Sequence, residues 1–359
     1  IMAIQKIGGT IIDVDGQASG DITYFDGVQW VRLAKGEAGE VLTMNEGATA
    51  PQWAEPVFTR YGGDGVYGGA GGAGSGADEF TGVIQFVVIA TVGNSVDFGD
   101  LTVARNSMAG MSSGSGGGRG VFAGSYNKTI DYITFATPGN AIDFGDLSAG
   151  RDVAELGNEV GVCDGVRGCA CGGGSTSGYQ IIIDYITIAT PGNALDFGDL
   201  TVARYGSGDA SSDTRGVVVG GHQGPGLGGS SNTMDYITIA TTGNALDFGD
   251  TLVARSHLKG VDSTAGRAAF GGGYLNSDTI DYITIATPGN ALDFGDLSVS
   301  RGYAGGVSNG SRGVWAGGSS GANQFKNEID YITIATLGNA TDFGDILLPA
   351  LGLTGVSGD

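Results

Sequence analysis

The sequence predicts an all-β fold made of six copies of one small antiparallel sheet, preceded by a short unrepeated segment. Three observations carry this reading. The phrase Ala194-Leu-Asp-Phe-Gly-Asp199 recurs with small changes at 95–100, 141–146, 245–250, 291–296 and 340–345, and the Asn before each copy is spaced by 46, 53, 51, 46 and 49 residues. A period near 50 residues belongs to repeat architectures. Each copy sits among short runs of Val, Ile, Thr and Tyr punctuated by Gly, the pattern of strands and tight turns. Gly supplies 71 of the 359 residues with no three-residue period, and Pro only 7, which excludes collagen and suits a turn-rich β protein.

One repeat, 205–255, shows the elements in order. Residues 205–213 are small and make a weak strand a. Arg215-Gly-Val-Val-Val-Gly-Gly221 is strand b, closed by a Gly pair, and 222–232 is a variable loop. Met234-Asp-Tyr-Ile-Thr-Ile-Ala-Thr241 is strand c. A turn follows at Thr242-Gly-Asn244, written Pro-Gly-Asn at 138–140, 191–193 and 288–290. Pro then Gly predicts a type II turn. Leu246-Asp-Phe-Gly-Asp250 is strand d, leading to Arg255.

In the strand c of 183–190, Ile183 and Tyr185 share one face while Ile186 and Ile188 lie on the other. Apolar groups on both faces predict sheets stacked face to face, as in propeller blades. The chain ends complete the count. The first repeat opens at strand b, and the last strand d is followed by one extra strand a, 351–359, matching the repeat at Gly355-Val-Ser357. That strand is expected to complete blade one and close a six-bladed ring, hiding two sheet edges.

Ten of the twelve arginines fall at repeat positions. Arg105, Arg151, Arg204, Arg255 and Arg301 follow strand d, and Arg119, Arg167, Arg215, Arg267 and Arg312 open strand b. Both sets are expected to pair with Asp of the same or the next blade.

Residues 1–58 carry no repeat. Within them 20–36 reads as a hairpin around Asp26-Gly27. About 55 residues with Trp30 and Trp53 would make a marginal core alone, so this module is expected to dock on a partner or on copies of itself.

The net charge of −21 argues against nucleic acid and against anionic membranes as partners. No run reaches 18 apolar residues, so no membrane insertion is expected. The first residues show no basic segment before an apolar core, so no signal peptide is read. Cys163, Cys169 and Cys171 lie in a single repeat. An odd, clustered set is a poor disulfide framework and reads as small buried side chains.

The order of Gly pair, Tyr-bearing strand, turn, aromatic strand and Arg resembles the kelch propeller repeat, with Phe98, Phe144, Phe197, Phe248, Phe294 and Phe343 where that repeat carries Trp. The phrase from Asp281 to Asp296 is similar to repeats in kelch-like structural proteins of tailed bacteriophages, and 20–53 is similar to a short module of tail-fibre and other virion appendage proteins. The resemblance implies a six-bladed kelch-like β-propeller with an N-terminal attachment module. It further implies a place on the exterior of the virion, other virion proteins as partners through 1–58, and a homo-oligomer such as a trimer.

No motif for catalysis, metal or cofactor stands out. Asp-Phe-Gly lacks every other part of a kinase, and six copies cannot serve one magnesium site. The Gly-rich run 68–76 lacks the βαβ context of a dinucleotide fold. Variation is concentrated in the b–c loops, 70–81, 125–129, 173–180, 222–232, 273–278 and 319–327, which should share one rim. Loops on a rigid scaffold commonly hold binding residues. Tyr126, Tyr179, His222, Tyr274 and Phe325 are their aromatic or imidazole groups, suited to glycan or protein contact. The expected function is non-enzymatic: a tail fibre or appendage that recognises a host-cell glycan or protein. A decoration or connector protein is the alternative, and a polysaccharide-degrading appendage enzyme a third.

Overall fold

The computed structural model describes residues 18–19, 21–36, 41–45, 49–54, 63–71, 80–113, 118–125, 127–151, 160–175, 178–224, 229–274, 277–321 and 324–358. The chain divides into two compact units, 1–57 and 58–359. In the first, Ile22–Phe25 pairs with Trp30–Leu33 around the expected Asp26-Gly27 loop, and Val41–Met44 pairs with Pro51–Ala54. The Asp26 carboxylate accepts from the amides of Val28 and Gln29 at 2.8 Å, which fixes the loop. Asp21 binds Arg32 at 2.6 Å, and hydrogen bonds from the Ala18 amide and Arg32 lower its pKa to about 2.

The second unit is a six-bladed β-propeller. Each blade is a four-stranded antiparallel sheet in the order a-b-c-d. Blade four, for example, runs Gly208–Ser211, Arg215–Val219, Ser231–Thr238 and Leu246–Arg255. The ring closes as the sequence implies: Thr354–Gly358 pairs with Asp64–Gly71, supplying strand a of blade one from the chain's other end.

The six-fold phrase encodes the contact between blades. Its Phe is 2–5 % exposed in every copy and meets the aromatic ring of strand c edge-on, as in Tyr236–Phe248 at 6.0 Å. Strand d bulges at this Phe in each blade, as in the shift between Met234 and Asp235. The Gly that follows touches the next blade. A Cβ on Gly198 would lie 2.5 Å from the Gly243 carbonyl oxygen, so only hydrogen fits. The Asn before the next phrase completes the joint: Asn244 Oδ1 accepts from the Asp199 amide at 3.1 Å. The same bond recurs at all six junctions, including ring closure, where Asn94 accepts from Asp345 at 3.0 Å. Replacing Asn244 with Ala should therefore lower stability by about 1 kcal/mol, read as a shift of the urea midpoint at unchanged slope. The two Asp of each phrase stand on the outermost strand, and their charge guards that free edge against pairing.

Two expectations need correction. The hydrogen-bonded turn after strand c does not contain Pro-Gly. It closes earlier, from the Thr190 amide to the Thr187 carbonyl at 3.0 Å, with equivalents in every blade. Gly139 has a φ of 158°, far from the ~80° of a type II turn. Pro138 and Gly139 instead lie against the neighbouring blade, where the Gly139 carbonyl covers Gly99.

The arginines divide into two sets with different roles. Those after strand d do pair with Asp, each reaching strand c of the next blade: Arg105–Asp131, Arg151–Asp184, Arg204–Asp235, Arg255–Asp281 and Arg301–Asp330, at 2.7–3.2 Å with every partner at most 2 % exposed. Those opening strand b do not pair with Asp among the described residues. They stack on the strand c tyrosine of their own blade, as Arg215 does at 4.3 Å from the Tyr236 ring centre, and donate to carbonyls of the next blade, here Ile285 and Ala286. The three cysteines lie buried in the cores between blades. Burial pushes the Cys171 thiol up to about 12, away from reactivity.

Candidate functional site

Antiparallel blades place all b–c loops and all d–a connectors at one end of the ring. Backbone pairing ties them together, as between Tyr205 in the connector into blade four and His222 in that blade's loop. Around the axis, the residue two after Arg105, Arg204, Arg255, Arg301 and Ala350 adopts left-handed backbone: Ser107, Gly206, His257, Tyr303 and Gly352 have φ between 54° and 71°. These residues hand a hydrogen bond around the mouth. The amides of His257, Tyr303, Gly352 and Ser107 donate to the carbonyls of Gly206, His257, Tyr303 and Gly352 respectively. Gly is the relaxed choice for such a φ, and a bulky residue there is strained. At His257 and Tyr303 this scaffold holds large rings at positions that favour glycine.

Those rings belong to a belt. Tyr179 lies 4.9 Å from Tyr205, which lies 5.1 Å from His222 and 5.6 Å from His257. His257 stacks on Tyr303 at 4.0 Å, and Tyr274 meets both at 5.9 and 6.1 Å. Six rings from four blades thus form one continuous cluster beside the axis, including both histidines of the chain, with Tyr179, Tyr274 and Tyr303 partly exposed. Of the residues expected from sequence, Tyr179, His222 and Tyr274 are brought together here. Phe325, half-buried in the blade-six loop, pairs its backbone with Ser319 and among the described residues contacts no ring of the belt. Tyr126 lies outside the described residues.

Sequence reading missed Tyr205, His257 and Tyr303, which join the others. A signal was present: two of them occupy the connector position that two other blades fill with Gly. Loop length and content drew attention to the b–c loops and away from the short connectors.

The belt contains no Asp, Glu, Lys or Arg. Burial, aided by His222 and Lys259, holds the His257 imidazole down to about 3, so it is neutral at neutral pH. Burial pushes the Tyr205 hydroxyl up to about 12, and it pushes Tyr303 up as well. His257 Nδ1 lies 3.1 Å from Ser256 Oγ, while His257 Nε2 and His222 Nδ1 are buried with no hydrogen-bond partner among the described residues. Lys259, which lines the same small cavity as His257, reaches Asp209 at 3.3 Å.

The axis itself is nearly closed. Its cavity, about 60 Å³, is lined by the strand a residues of all six blades. Five of the innermost positions are Gly, each packed on a neighbouring strand, as where a Cβ on Gly161 would lie 2.1 Å from the Gly110 carbonyl oxygen. Asp209 alone carries a side chain there. A ligand larger than a few waters must bind on the face. Among the described residues, no three His, Cys, Asp or Glu side chains gather to hold a metal ion. No protein-family model matches this chain, and no curated protein matches its sequence.

Proposed function

We propose that the protein is a non-enzymatic appendage protein of a bacteriophage particle, whose propeller recognises a receptor on the host surface through the ring belt. One observation carries this. On a scaffold of near-identical blades, the belt from Tyr179 to Tyr303 is assembled at loop and connector positions whose residues change from blade to blade. Rigid, amphipathic rings on a fixed frame suit recognition. The virion assignment rests on the resemblance of the repeat phrase and of 20–53 to phage structural proteins. In the first unit, Phe25, Trp30, Leu42 and Met44 are 47–54 % exposed, an apolar surface suited to joining other virion proteins or further copies of the chain.

The test is binding of the purified protein to susceptible host cells, compared with a Tyr179→Ala/Tyr274→Ala variant. Saturable binding weakened by about tenfold or more is expected, since two ring contacts are each worth about 0.5–1.5 kcal/mol. A folded protein that ignores susceptible cells would overturn the recognition reading and favour a decoration or connector role. Release of reducing ends from host polysaccharide would instead reveal an enzyme.

A further inference from the structure

We infer that the ring belt takes a neutral saccharide, with His257 Nε2 and His222 Nδ1 as hydrogen-bonding groups for its hydroxyls and the tyrosine rings as its stacking surface. This deepens the receptor-recognition reading of the same site and rests on it for biological meaning. Three features of the belt converge on this ligand.

First, charge selects against ions. The chain carries −21, and no cationic side chain belongs to the belt. Lys259 is already engaged with Asp209. Sialylated, sulfated or uronate sugars would meet a repulsive field without the Arg or Lys that such groups need. A cationic ligand would find no carboxylate among the rings.

Second, two buried ring nitrogens lack partners. His222 and His257 are 5 % and 6 % exposed, and each leaves one nitrogen without a hydrogen bond among the described residues. Native proteins satisfy nearly all such atoms, and His257 Nε2 differs from the orphans of the inter-blade joints in lying at the axis mouth, where a partner can enter. A sugar hydroxyl both donates and accepts, and fits either tautomer. His257 borders a cavity of about 20 Å³ at the axis mouth, shared with Ser107, Gly206, Tyr303 and Gly352. That volume admits one hydroxyl or one water. Gly206 keeps the nitrogen open, because a Cβ there would lie 2.7 Å from Nε2.

Third, the rings suit sugar faces. The negative face of a tyrosine ring attracts the polarised C–H bonds on the apolar side of a pyranose. Tyr179, Tyr274 and Tyr303 are partly exposed and supply such faces, while Tyr205 lies beneath them at 7 % exposure. His257 and Tyr303 hold their left-handed backbone where Gly206 and Gly352 stand in other blades. Strain kept at a surface site is a mark of function.

The test uses the full chain on an immobilised panel of glucose-, galactose-, mannose- and N-acetylglucosamine-terminated oligosaccharides, set beside sialylated, sulfated and uronate ones. Saturable binding to a neutral member is expected, with free oligosaccharide competing. Tyr274→Ala should weaken it about 2- to 13-fold, the worth of one ring contact. Tyr303→Gly should weaken it similarly without lowering the melting temperature, because the backbone relaxes, so loss of binding there cannot be laid to misfolding. Binding only to acidic glycans, or no binding across the neutral panel, would overturn the inference. So would host-cell binding that protease abolishes and periodate leaves intact. Binding to neutral oligosaccharides without binding to host cells would uphold the sugar site and overturn the receptor reading.

Discussion

Replacing Arg204 with Ala should destabilise the propeller by about 3–5 kcal/mol, among the largest effects of any single side chain. Arg204 and Asp235 are both fully buried and meet at 2.9 Å across the joint between blades three and four. Burial drags the guanidinium below its ordinary value while Asp235 opposes that shift. Without Arg204, the Asp235 carboxylate keeps only the Thr201 amide and hydroxyl, at 3.0 and 2.7 Å, and remains a charge in the interior. The molecule contains its own remedy. At the closing joint, Ala350 stands in the Arg place, Gln85 in the Asp place and Ser95 in that of the phrase Ala. Gln85 Oε1 accepts from Ser95 Oγ at 2.6 Å and from the Leu347 amide at 3.1 Å, a neutral version of the same joint. The triple variant Arg204→Ala/Asp235→Gln/Ala245→Ser should recover most of the loss. Urea unfolding of both variants checks this, and a triple variant no better than the single one would refute the equivalence of the joints.

Exchanging two neighbouring residues, Thr251→Leu with Leu252→Thr, should stabilise the protein by about 3 kcal/mol. Blade four has this pair in the reverse order from blades one and three, which read Leu101-Thr102 and Leu200-Thr201. Thr251 consequently occupies a core place, 4 % exposed, that aliphatics fill elsewhere, and Leu252 stands 50 % exposed. In four joints a Thr or Ser hydroxyl donates to the buried Asp, as Thr102 does to Asp131 at 2.6 Å. Leu252 cannot, and Asp281 Oδ1 is left buried without a partner. Burial therefore raises the Asp281 carboxyl above its ordinary 3.8, with Arg255 opposing. A folded-state pKa above the unfolded value means that this group's contribution is whole below the ordinary carboxylate range and is lost as pH rises through the raised value. The gain from the exchange should accordingly be larger at neutral pH than in acid. Melting curves at the two pH values measure this, and an equal gain at both would show that the carboxylate is not the cause.

How much of this could be read from the letters follows from what each letter touches. The Asp-Phe-Gly-Asp phrase was legible because six equivalent joints demand the same Phe in the core, the same Gly under a neighbouring turn and the same Asn one blade away. The closing strand was legible because 351–359 repeats a strand that the first copy lacks. The arginines were half legible. Their spacing showed that they repeat, but only the packed structure separated buried ion pairs from stacking on tyrosine. The Pro-Gly turn misled because Gly is favoured both in type II turns and where chain must lie close against a neighbour, as the Gly139 and Gly192 carbonyls do over Gly99 and Gly145.

By itself the sequence determined the all-β class, the six blades, their closure and the edge charge, since these depend on period, alternation and composition within single repeats. The ring belt was decided only by the tertiary structure. Tyr205, His257 and Tyr303 lie about one repeat apart in the chain and meet because the blades turn around a common axis. No local pattern encodes that meeting. It follows from ring closure, which draws the connectors of different blades into contact and sets His257 beside the small cavity at the mouth.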